Sequence, residues 1–427
     1  MQMKQQKEKD FYKSKLSNGI PVVTANIPYL RSISIGIWVK AGSRNEIPEL
    51  NGIFHFLEHL AFKGTKRRSA HQIAIEMDSI GGHMNAFTSR EYTCYTAKVL
   101  DEHLPIAIDV LSDILLNSVF DPKEIERERR VILEEINMVE DTPDDLIFDM
   151  LYQNVWSNHS LGLPTQGFPE TVKKISRQDI LSHMERFYSS NNVIISIAGN
   201  IDFPDLMDLL EKHFCKFKSA EKNDLDSVQE MKVGRVFKYK KLEQVHICLA
   251  AAGIKTNDKQ RYECYLLNII LGGSMSSRLF QKIREEKGLA YSVNSISSHY
   301  RDTGIFMVYA ATGTKNYATV IELIVQELKE ITSNKVDARE LEKAKNQLKG
   351  GLMLSLESSG SRMVQLAKEE MYFKKHFTLD EMIKNIDAVT ANGIKSLANR
   401  LFYSKSFTLA LLGPIRNNKV LKDILHN

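Results

Sequence analysis

The sequence predicts an α+β fold of two tandem, structurally related domains, each a mainly antiparallel sheet with helices packed on it. Three observations support this prediction. The chain has 427 residues, too many for one ordinary hydrophobic core, which favours two or three domains. Segments with strand periodicity alternate with segments of helical periodicity. A pattern near the end of the first half also returns near the end of the second.

This internal repeat sets the domain boundaries. The segment 186–199, R-F-Y-S-S-N-N-V-I-I-S-I-A-G, resembles the segment 400–413, R-L-F-Y-S-K-S-F-T-L-A-L-L-G. The shared Phe-Tyr-Ser tripeptide recurs at an interval of half the chain, and a glycine closes each strand pattern. Such a period indicates two copies of one domain. A charged stretch poor in apolar residues predicts a linker over 216–235, between domains 1–215 and 236–427.

The first half opens with a predicted hairpin whose turn is Asn18-Gly19. Apolar residues then alternate with smaller or polar ones from Ile33 to Val39, which is the periodicity of a half-buried strand. Helical patterns follow around 51–60, at 69–80 and at 121–140, and strand patterns follow at 84–99 and 193–197.

The first of these helices carries the clearest chemical signal. His55, Glu58 and His59 have the order H-x-x-E-H, the reverse of the commoner H-E-x-x-H. Residues four apart lie on one face of a helix, so both imidazoles can point at the same spot. Two imidazoles beside a carboxylate suit a zinc ion that keeps one position open for water. Because a five-residue pattern also arises by chance in a long chain, the prediction needs a third ligand.

The helix predicted over 121–140 offers candidates for that ligand. At ~100° per residue, Glu128 and Glu135 lie about 20° apart along the flank of its apolar stripe, whereas Glu134 faces the opposite side. Carboxylates on the buried side of a helix are costly unless they are paired or bound to a metal. Either Glu128 or Glu135 could be the third ligand. Alternatively, both pair with the arginines at 127, 129 and 130.

With these residues the sequence resembles the pitrilysin-type inverted zincins, and among them the processing-peptidase-like subfamily, over nearly the whole chain. The family's third zinc ligand lies in a V-I-L-x-E segment, which corresponds here to 131–135 and implies Glu135 as the ligand with His55 and His59. The resemblance implies one Zn²⁺ per chain and zinc-dependent endopeptidase activity on peptides or unfolded, presequence-like segments. Glu58 would be the general base and Glu128 a helper in catalysis.

The resemblance also implies residues that contact the substrate. Arg284 and Tyr291 follow a short Gly272-Gly273 loop in the second, catalytically silent half, and match a family pair that contacts the bound peptide or steadies the reacting centre. Asn85 and Ala86 match an edge strand to which an extended peptide adds as a further strand.

Two acidic residues stand where processing peptidases read a basic residue near the cleavage site. Asp145 and Asp149 occupy these positions. The resemblance therefore implies a preference for a basic residue, although an ordinary acidic helix face would give the same pattern.

Composition excludes several classes of protein. The net charge of +4 does not indicate a nucleic-acid-binding protein. No apolar run reaches the ~18 residues of a membrane span. The N-terminal decapeptide has no apolar core, so it does not predict a signal peptide. The four cysteines form no C-x-x-C pair and predict reduced core residues. We expect a cytoplasmic protein, or a mitochondrial-matrix protein if the chain is a mature organellar form.

The resemblance also bears on partners. Long members of the family hold four such domains in one chain, so a chain with two is expected to form a homodimer, or a heterodimer with a related subunit. The alternative function is a non-catalytic scaffold or peptide-binding subunit of a processing-peptidase-like complex. Such relatives have degraded motifs, whereas this sequence keeps the residues that the family uses.

Overall fold

The computed structural model describes residues 10–220, 227–228, 230–402 and 407–415. Two sheets with helices packed on them form the described part of the chain, which confirms the predicted α+β class. Part of the predicted linker (221–226 and 229) and the last two residues of the second Phe-Tyr-Ser repeat (403–404) lie outside the described residues.

The first sheet has six strands in the order β1-β2-β6-β3-β5-β4. The β2–β6 pair is parallel, and the other neighbouring pairs are antiparallel. β4, which carries Asn85 and Ala86, lies at one edge of this sheet. The strands are β1 Phe11–Lys15, β2 Pro21–Asn26, β3 Ser32–Val39, β4 His83–Thr88, β5 Thr93–Leu100 and β6 Val193–Gly199.

The second sheet has five strands in the order β7-β11-β8-β10-β9, with one parallel pair, β7–β11. Without β1, the first sheet has the same order and the same placement of its parallel pair, so the two sheets share one topology, as the repeat predicts. The strands are β7 Arg235–Tyr239, β8 Gln244–Ala252, β9 Ala290–His299, β10 Gly304–Gly313 and β11 Thr408–Gly413.

Helices cover both faces of each sheet. No helix in the described part of the chain is both long enough and apolar enough to cross a membrane. The helices are α1 Ile53–Ala61, α2 Ala70–Ser79, α3 Leu104–Leu116, α4 Pro122–Asp141, α5 Pro143–Val155, α6 Pro169–Val172, α7 Arg177–Phe187, α8 Phe203–Phe214, α9 Arg261–Leu271, α10 Tyr317–Ser333, α11 Ala338–Leu356, α12 Ser359–Tyr372, α13 Leu379–Asp387 and α14 Ala391–Phe402. Short 3₁₀ turns occur at Ser43–Asn45, Pro48–Leu50, Asp101–His103 and Ser160–Gly162, and a π-helical segment spans Phe280–Glu286.

The compact units of the structure are not continuous in sequence. Unit one comprises the described parts of 1–138, 163–226 and 354–376, and unit two comprises the rest. Segment 139–162, which includes α5, therefore belongs with the second sheet, and segment 354–376, which includes α12, with the first. The sequence analysis divides the chain into contiguous domains, 1–215 and 236–427, and does not predict this exchange of helices. The apolar stripe of a helix predicts burial but does not identify the sheet that the helix covers.

Each exchanged helix fills an apolar face. On α12, Met363 and Leu366 are buried with Trp38 of β3 in one cluster of unit one. On α5, Ile147 and Leu151 are buried in a cluster of unit two that includes strand residues of the second sheet. Both helices thus supply the hydrophobic cover that one face of each sheet needs.

Candidate metal centre and peptide-contact residues

Helix α1 buries one side in the core of unit one. Its apolar residues Ile53, Phe54, Phe56, Leu57 and Leu60 are at most 1% exposed. The ring of Phe54 packs edge-on against that of Phe187 of α7, with the centroids 5.1 Å apart. The three polar residues of the motif are only partly buried. The packing therefore fixes the helix and leaves the side with these three polar residues open.

Three ligand atoms converge at this open side. Nε2 of His55 and Nε2 of His59 lie 3.3 Å apart, and each lies 3.5 Å from Oε2 of Glu135 on α4. Zinc bonds of 2.0–2.1 Å in tetrahedral geometry separate ligand atoms by about 3.3–3.4 Å. The triangle has the size that a tetrahedral zinc ion requires, and its donors are of the type that zinc binds. Among the described residues, this trio is the group that could hold a metal.

Glu128 has a different position from Glu135. One of its oxygens lies 3.1 Å from Nδ1 of His59, and the other lies 2.8 Å from Nζ of Lys63. Its side chain is only 4% exposed. The two partners compensate for the cost of burying its charge. The structure thus brings Glu135 to the imidazole Nε2 atoms and places Glu128 behind His59. The helical periodicity of α4 had left both glutamates open as candidates.

The two histidines differ in what holds them. Nδ1 of His59 faces Glu128, whereas Nδ1 of His55 is buried and has no hydrogen-bond partner within the described part of the chain. Burial, with a smaller contribution from the neighbouring His59, lowers the pKa of His55 to about 4. His55 is therefore neutral at neutral pH, the state in which an imidazole can bind a metal.

Glu58 lies on the same side of α1 but outside the ligand trio. Burial raises the pKa of its carboxyl group, while hydrogen bonding with Thr88 and the charge of His59 act in the opposite direction. A carboxylate with a raised pKa is a better proton acceptor at neutral pH than an ordinary glutamate. Glu58 is thus a candidate base, because the group that could hold a metal consists of other residues.

The predicted peptide-binding strand is β4. It pairs with β5 on one side, and no strand among the described residues pairs with its outer side. β4 adjoins α1, which carries His55 and His59 and is called the metal helix below. Oγ1 of Thr88 on β4 lies 3.4 Å from the carbonyl oxygen of Phe54 on α1. Asn85 is exposed and Ala86 is buried. The Asn85 side chain accepts a hydrogen bond of 2.9 Å from the Ala86 amide.

Arg284 and Tyr291 meet in unit two. Arg284 lies in the π-helical segment, and its guanidinium carbon is 4.7 Å from the ring centroid of Phe280 and 4.4 Å from that of Tyr291. It also donates a hydrogen bond of 3.1 Å to the Tyr291 carbonyl. Two aromatic faces thus orient the guanidinium, and 74% of Tyr291 is exposed.

A cleft of about 390 Å³ in unit two brings some of the predicted substrate residues together. Asp145, Arg284 and Tyr291 line it, and Asp149 is not among its lining residues. Asp144, which the sequence analysis did not select, also lines the cleft. Its only sequence signal is its place beside Asp145 in the first turn of α5. Three further aromatic residues also line it: Phe148, Phe280 and Tyr309.

Comparison with known proteins places the chain in a family. The model of the insulinase family, peptidase family M16, matches residues 21–167, and that of the peptidase M16 inactive domain matches residues 174–348. A Bacillus subtilis (strain 168) protein called "uncharacterized zinc protease YmxG" is 44% identical over 94% of this chain and 97% of its own length. An "uncharacterized zinc protease" of Rickettsia felis is 40% identical over 95% of this chain and 98% of its own.

Solved structures show the same fold at lower identity. A protease from Helicobacter pylori has a TM-score of 0.88 at 23% identity and covers 94% of this chain and 99% of its own. A chain of complex III2 from Candida albicans, with Inz-5 bound, has a TM-score of 0.85 at 23% identity and covers 97% and 98%. The two family models and the relatives at 40–44% identity show that the chain belongs to peptidase family M16, and the names of these relatives support a zinc protease.

Proposed function

We propose that the protein is a zinc-dependent endopeptidase that cleaves peptides or unfolded polypeptide segments. One Zn²⁺ per chain would be held by His55, His59 and Glu135. The observation that carries the proposal is the triangle of three donor atoms with edges of 3.3–3.5 Å, with Glu58 beside it and outside it.

The residues of unit one divide the chemistry between them. Zinc, when bound, acidifies a water molecule and polarises the scissile carbonyl. Glu58 accepts the proton of the attacking water and returns it to the leaving amine. Glu128, held by Lys63, keeps the imidazole of His59 in place and fixes which of its nitrogens carries the proton. No side chain becomes covalently attached to the substrate in this scheme.

The edge strand supports a peptide substrate. A free strand edge binds an extended chain through backbone hydrogen bonds that do not depend on the sequence of the chain. β4 offers such an edge next to the metal helix. The Asn85 side chain would turn away from the Ala86 amide and release that donor to the peptide. Cleavage at internal bonds follows, since strand pairing needs no free chain terminus.

The cleft in unit two supports a preference for a basic residue. Asp144 and Asp145 are exposed, and they share the cleft with aromatic rings. A carboxylate beside an aromatic face suits a guanidinium or ammonium group, by charge and by cation–π attraction. Arg284, fixed against Tyr291, would donate hydrogen bonds to peptide carbonyls. We assign Asp149 no contact in this cleft.

We extend the proposal to assembly as a homodimer, or a heterodimer with a related subunit, because this chain carries two domains where longer members of the family carry four. Light scattering on the purified protein tests it. An active monomer would contradict the dimer and leave the metal chemistry untouched.

The enzymatic proposal is tested with an internally quenched peptide that contains one arginine. We expect the purified protein to cleave it at an internal bond, identified by mass spectrometry of the products. Incubation with a chelator should abolish cleavage, and added zinc should restore it. A protein that binds zinc and peptide but leaves the peptide intact would instead be a scaffold or a peptide-binding subunit.

A further inference from the structure

A buried carboxylate that the proposed chemistry does not use lies at the start of the metal helix. Glu46 is 4% exposed. Its Oε2 accepts hydrogen bonds of 2.8 Å from the side-chain amide of Asn51 and 2.8 Å from the backbone of Gly52, and its Oε1 accepts one of 2.9 Å from the backbone of Phe54. All three donors belong to the segment that begins α1.

These bonds replace the usual helix cap. The first backbone amides of a helix have no partner within the helix, and a side chain at the first position normally satisfies one of them. The N-cap residue of α1 is Gly52, which has no side chain to do so. Glu46 accepts hydrogen bonds from the Gly52 and Phe54 amides from outside the helix, so the start of α1 is tied to the segment that contains Glu46.

A second segment, around Pro164–Thr171, also holds the helix start. The side-chain amide of Asn51 donates 3.0 Å to the Pro164 carbonyl, and Thr171 donates 2.7 Å to the Asn51 carbonyl. Gly52 has a φ of +97°, and a Cβ atom there would lie 2.6 Å from the Gln166 carbonyl oxygen. Backbone therefore packs directly on backbone, and α1 cannot shift at its start without breaking these contacts.

This anchorage matters most for His55, because the residue directly follows Phe54. The imidazole of His59 is oriented through its Nδ1 by Glu128, but Nδ1 of His55 has no partner within the described part of the chain. The position of His55 therefore depends on the backbone that carries it and on packing, rather than on a hydrogen bond to its ring.

We propose that Glu46 is a positioning residue of the metal centre, which fixes the start of α1 and through it the first zinc ligand, His55. The inference rests on the proposed zinc site. The hydrogen-bond partners of Glu46 are Asn51, Gly52 and Phe54 and none of the three ligand residues, so it acts through the helix.

The substitution Glu46→Gln is a selective test because every neighbour of the carboxylate is a donor. A glutamine has one acceptor oxygen and one amide group. Whichever way the amide is turned, its NH₂ group faces at least one N–H of the helix start, so at least one of the three bonds is lost. Loss of a residue that orients a metal ligand typically costs 10–100-fold in metal affinity.

Two matched controls separate this effect from loss of charge and loss of stability. Glu49→Gln makes the same change three positions later, at an exposed residue. Glu370→Gln removes a carboxylate of unit one that is 6% exposed and ion-paired with Lys13. We expect Glu370→Gln to lower the thermal stability and to leave zinc affinity unchanged.

The experiment measures zinc affinity by competition with a chromogenic chelator, and the visible spectrum of the Co²⁺-substituted full-length protein. We expect Glu46→Gln to bind zinc about 10–100-fold more weakly than wild type and to shift the cobalt bands. Glu49→Gln should match the wild type in both.

Equal affinity and equal spectra for Glu46→Gln and Glu49→Gln would overturn the inference alone, and so would a loss in Glu370→Gln as large as that in Glu46→Gln. A wild type that binds neither metal would overturn the proposed function and this inference with it. If Glu46→Gln does not fold, as judged by circular dichroism, Asn51→Ala takes its place, since it removes one donor to Glu46. Unchanged zinc affinity in Asn51→Ala would then overturn the inference.

Discussion

Helices α1 and α9 occupy the same place in the two units and differ in what their partly exposed side carries. α1 follows β3 and precedes β4, and α9 follows β8 and precedes β9. Both bury an apolar stripe in the core of their own unit. α1 adds His55, Glu58 and His59, whereas α9 reads R-Y-E-C-Y-L-L-N-I-I-L. The fold therefore requires only the apolar stripe, and the proposed chemistry depends on a few residues that lie outside the hydrophobic core.

The largest effect is expected from the proposed base on α1, Glu58. Glu58→Gln should lower kcat by about 10²–10⁴-fold, the range for loss of a general base. Zinc content should stay at the wild-type value, because Glu58 lies outside the ligand trio. Steady-state kinetics with metal analysis check both. The same change on α9, Glu263→Gln, should leave kcat unaltered, and an equal loss there would remove the functional difference between the helices.

The starts of the two helices also differ, and this difference predicts a pH dependence. Glu46 is buried and forms no ion pair with a described cationic side chain, so burial raises its pKa to about 7. At α9, burial would also raise the pKa of Asp258, but hydrogen bonds from Arg400 and from the Gln260 amide outweigh it and lower the pKa. As pH rises, the contribution of Glu46 to the free energy of unfolding should therefore decrease, whereas that of Asp258 should increase.

A group whose pKa is raised by folding stabilises the protein at low pH and loses this contribution as pH rises. For Glu46 the loss should fall between pH 4.5 and about 7. At about 1.4 kcal/mol per pKa unit, it amounts to about 3 kcal/mol. We measure urea unfolding of both metal-free proteins. The difference in unfolding free energy, wild type minus Glu46→Gln, should decrease over this range. A difference that grows with pH, as expected between wild type and Asp258→Asn when pH rises from acid, would contradict the assignment.

Within α1, the comparison of the two histidines predicts a smaller effect at Lys63. Lys63→Met removes the cation that holds Glu128, so His59 loses part of its orientation. We expect zinc affinity to fall about tenfold, by chelator competition. Lys66→Met alters an exposed lysine nearby and serves as the control. Equal zinc affinity in both variants would mean that Glu128 needs no cation.

The smallest effect is expected from unit two. Arg284→Lys keeps the charge but loses the planar group that stacks between Phe280 and Tyr291. We expect kcat/KM for the arginine-containing peptide to fall by about tenfold or less, with zinc content unchanged. Arg339→Lys, at an exposed position, is the matched control. A loss of zinc in Arg284→Lys would show that the residue acts on the metal centre rather than on the peptide.

Much of the site follows from spacing along single helices. The interval between His55 and His59 places both rings on one side of α1, and the position of Glu135 on α4 follows from its apolar stripe. The choice between Glu128 and Glu135 does not follow from spacing, because the two residues lie on nearly the same side of one helix. It depends on how α1 and α4 pack together, which brings Glu135 to the imidazole Nε2 atoms and Glu128 to Nδ1 of His59 and to Lys63.

Other features required the folded chain. Glu46 precedes the helix that it anchors by a turn of chain whose path no periodicity reveals, and Pro164 and Thr171 reach Asn51 from more than a hundred residues away. The exchange of α5 and α12 between units could not be predicted either, since the apolar stripe of an amphipathic helix does not identify the sheet on which the helix packs. Asp144 was missed because the resemblance pointed to Asp145 and Asp149.

The most direct test of the central claim is the zinc content per chain of three proteins, measured by elemental mass spectrometry after removal of free metal. The pair Glu134→Gln and Glu135→Gln makes the same change at adjacent positions of α4, one exposed and one at the ligand triangle. The account predicts one zinc per chain in wild type and in Glu134→Gln, and little zinc in Glu135→Gln. Full occupancy in Glu135→Gln, or an absence of zinc in wild type, would contradict it.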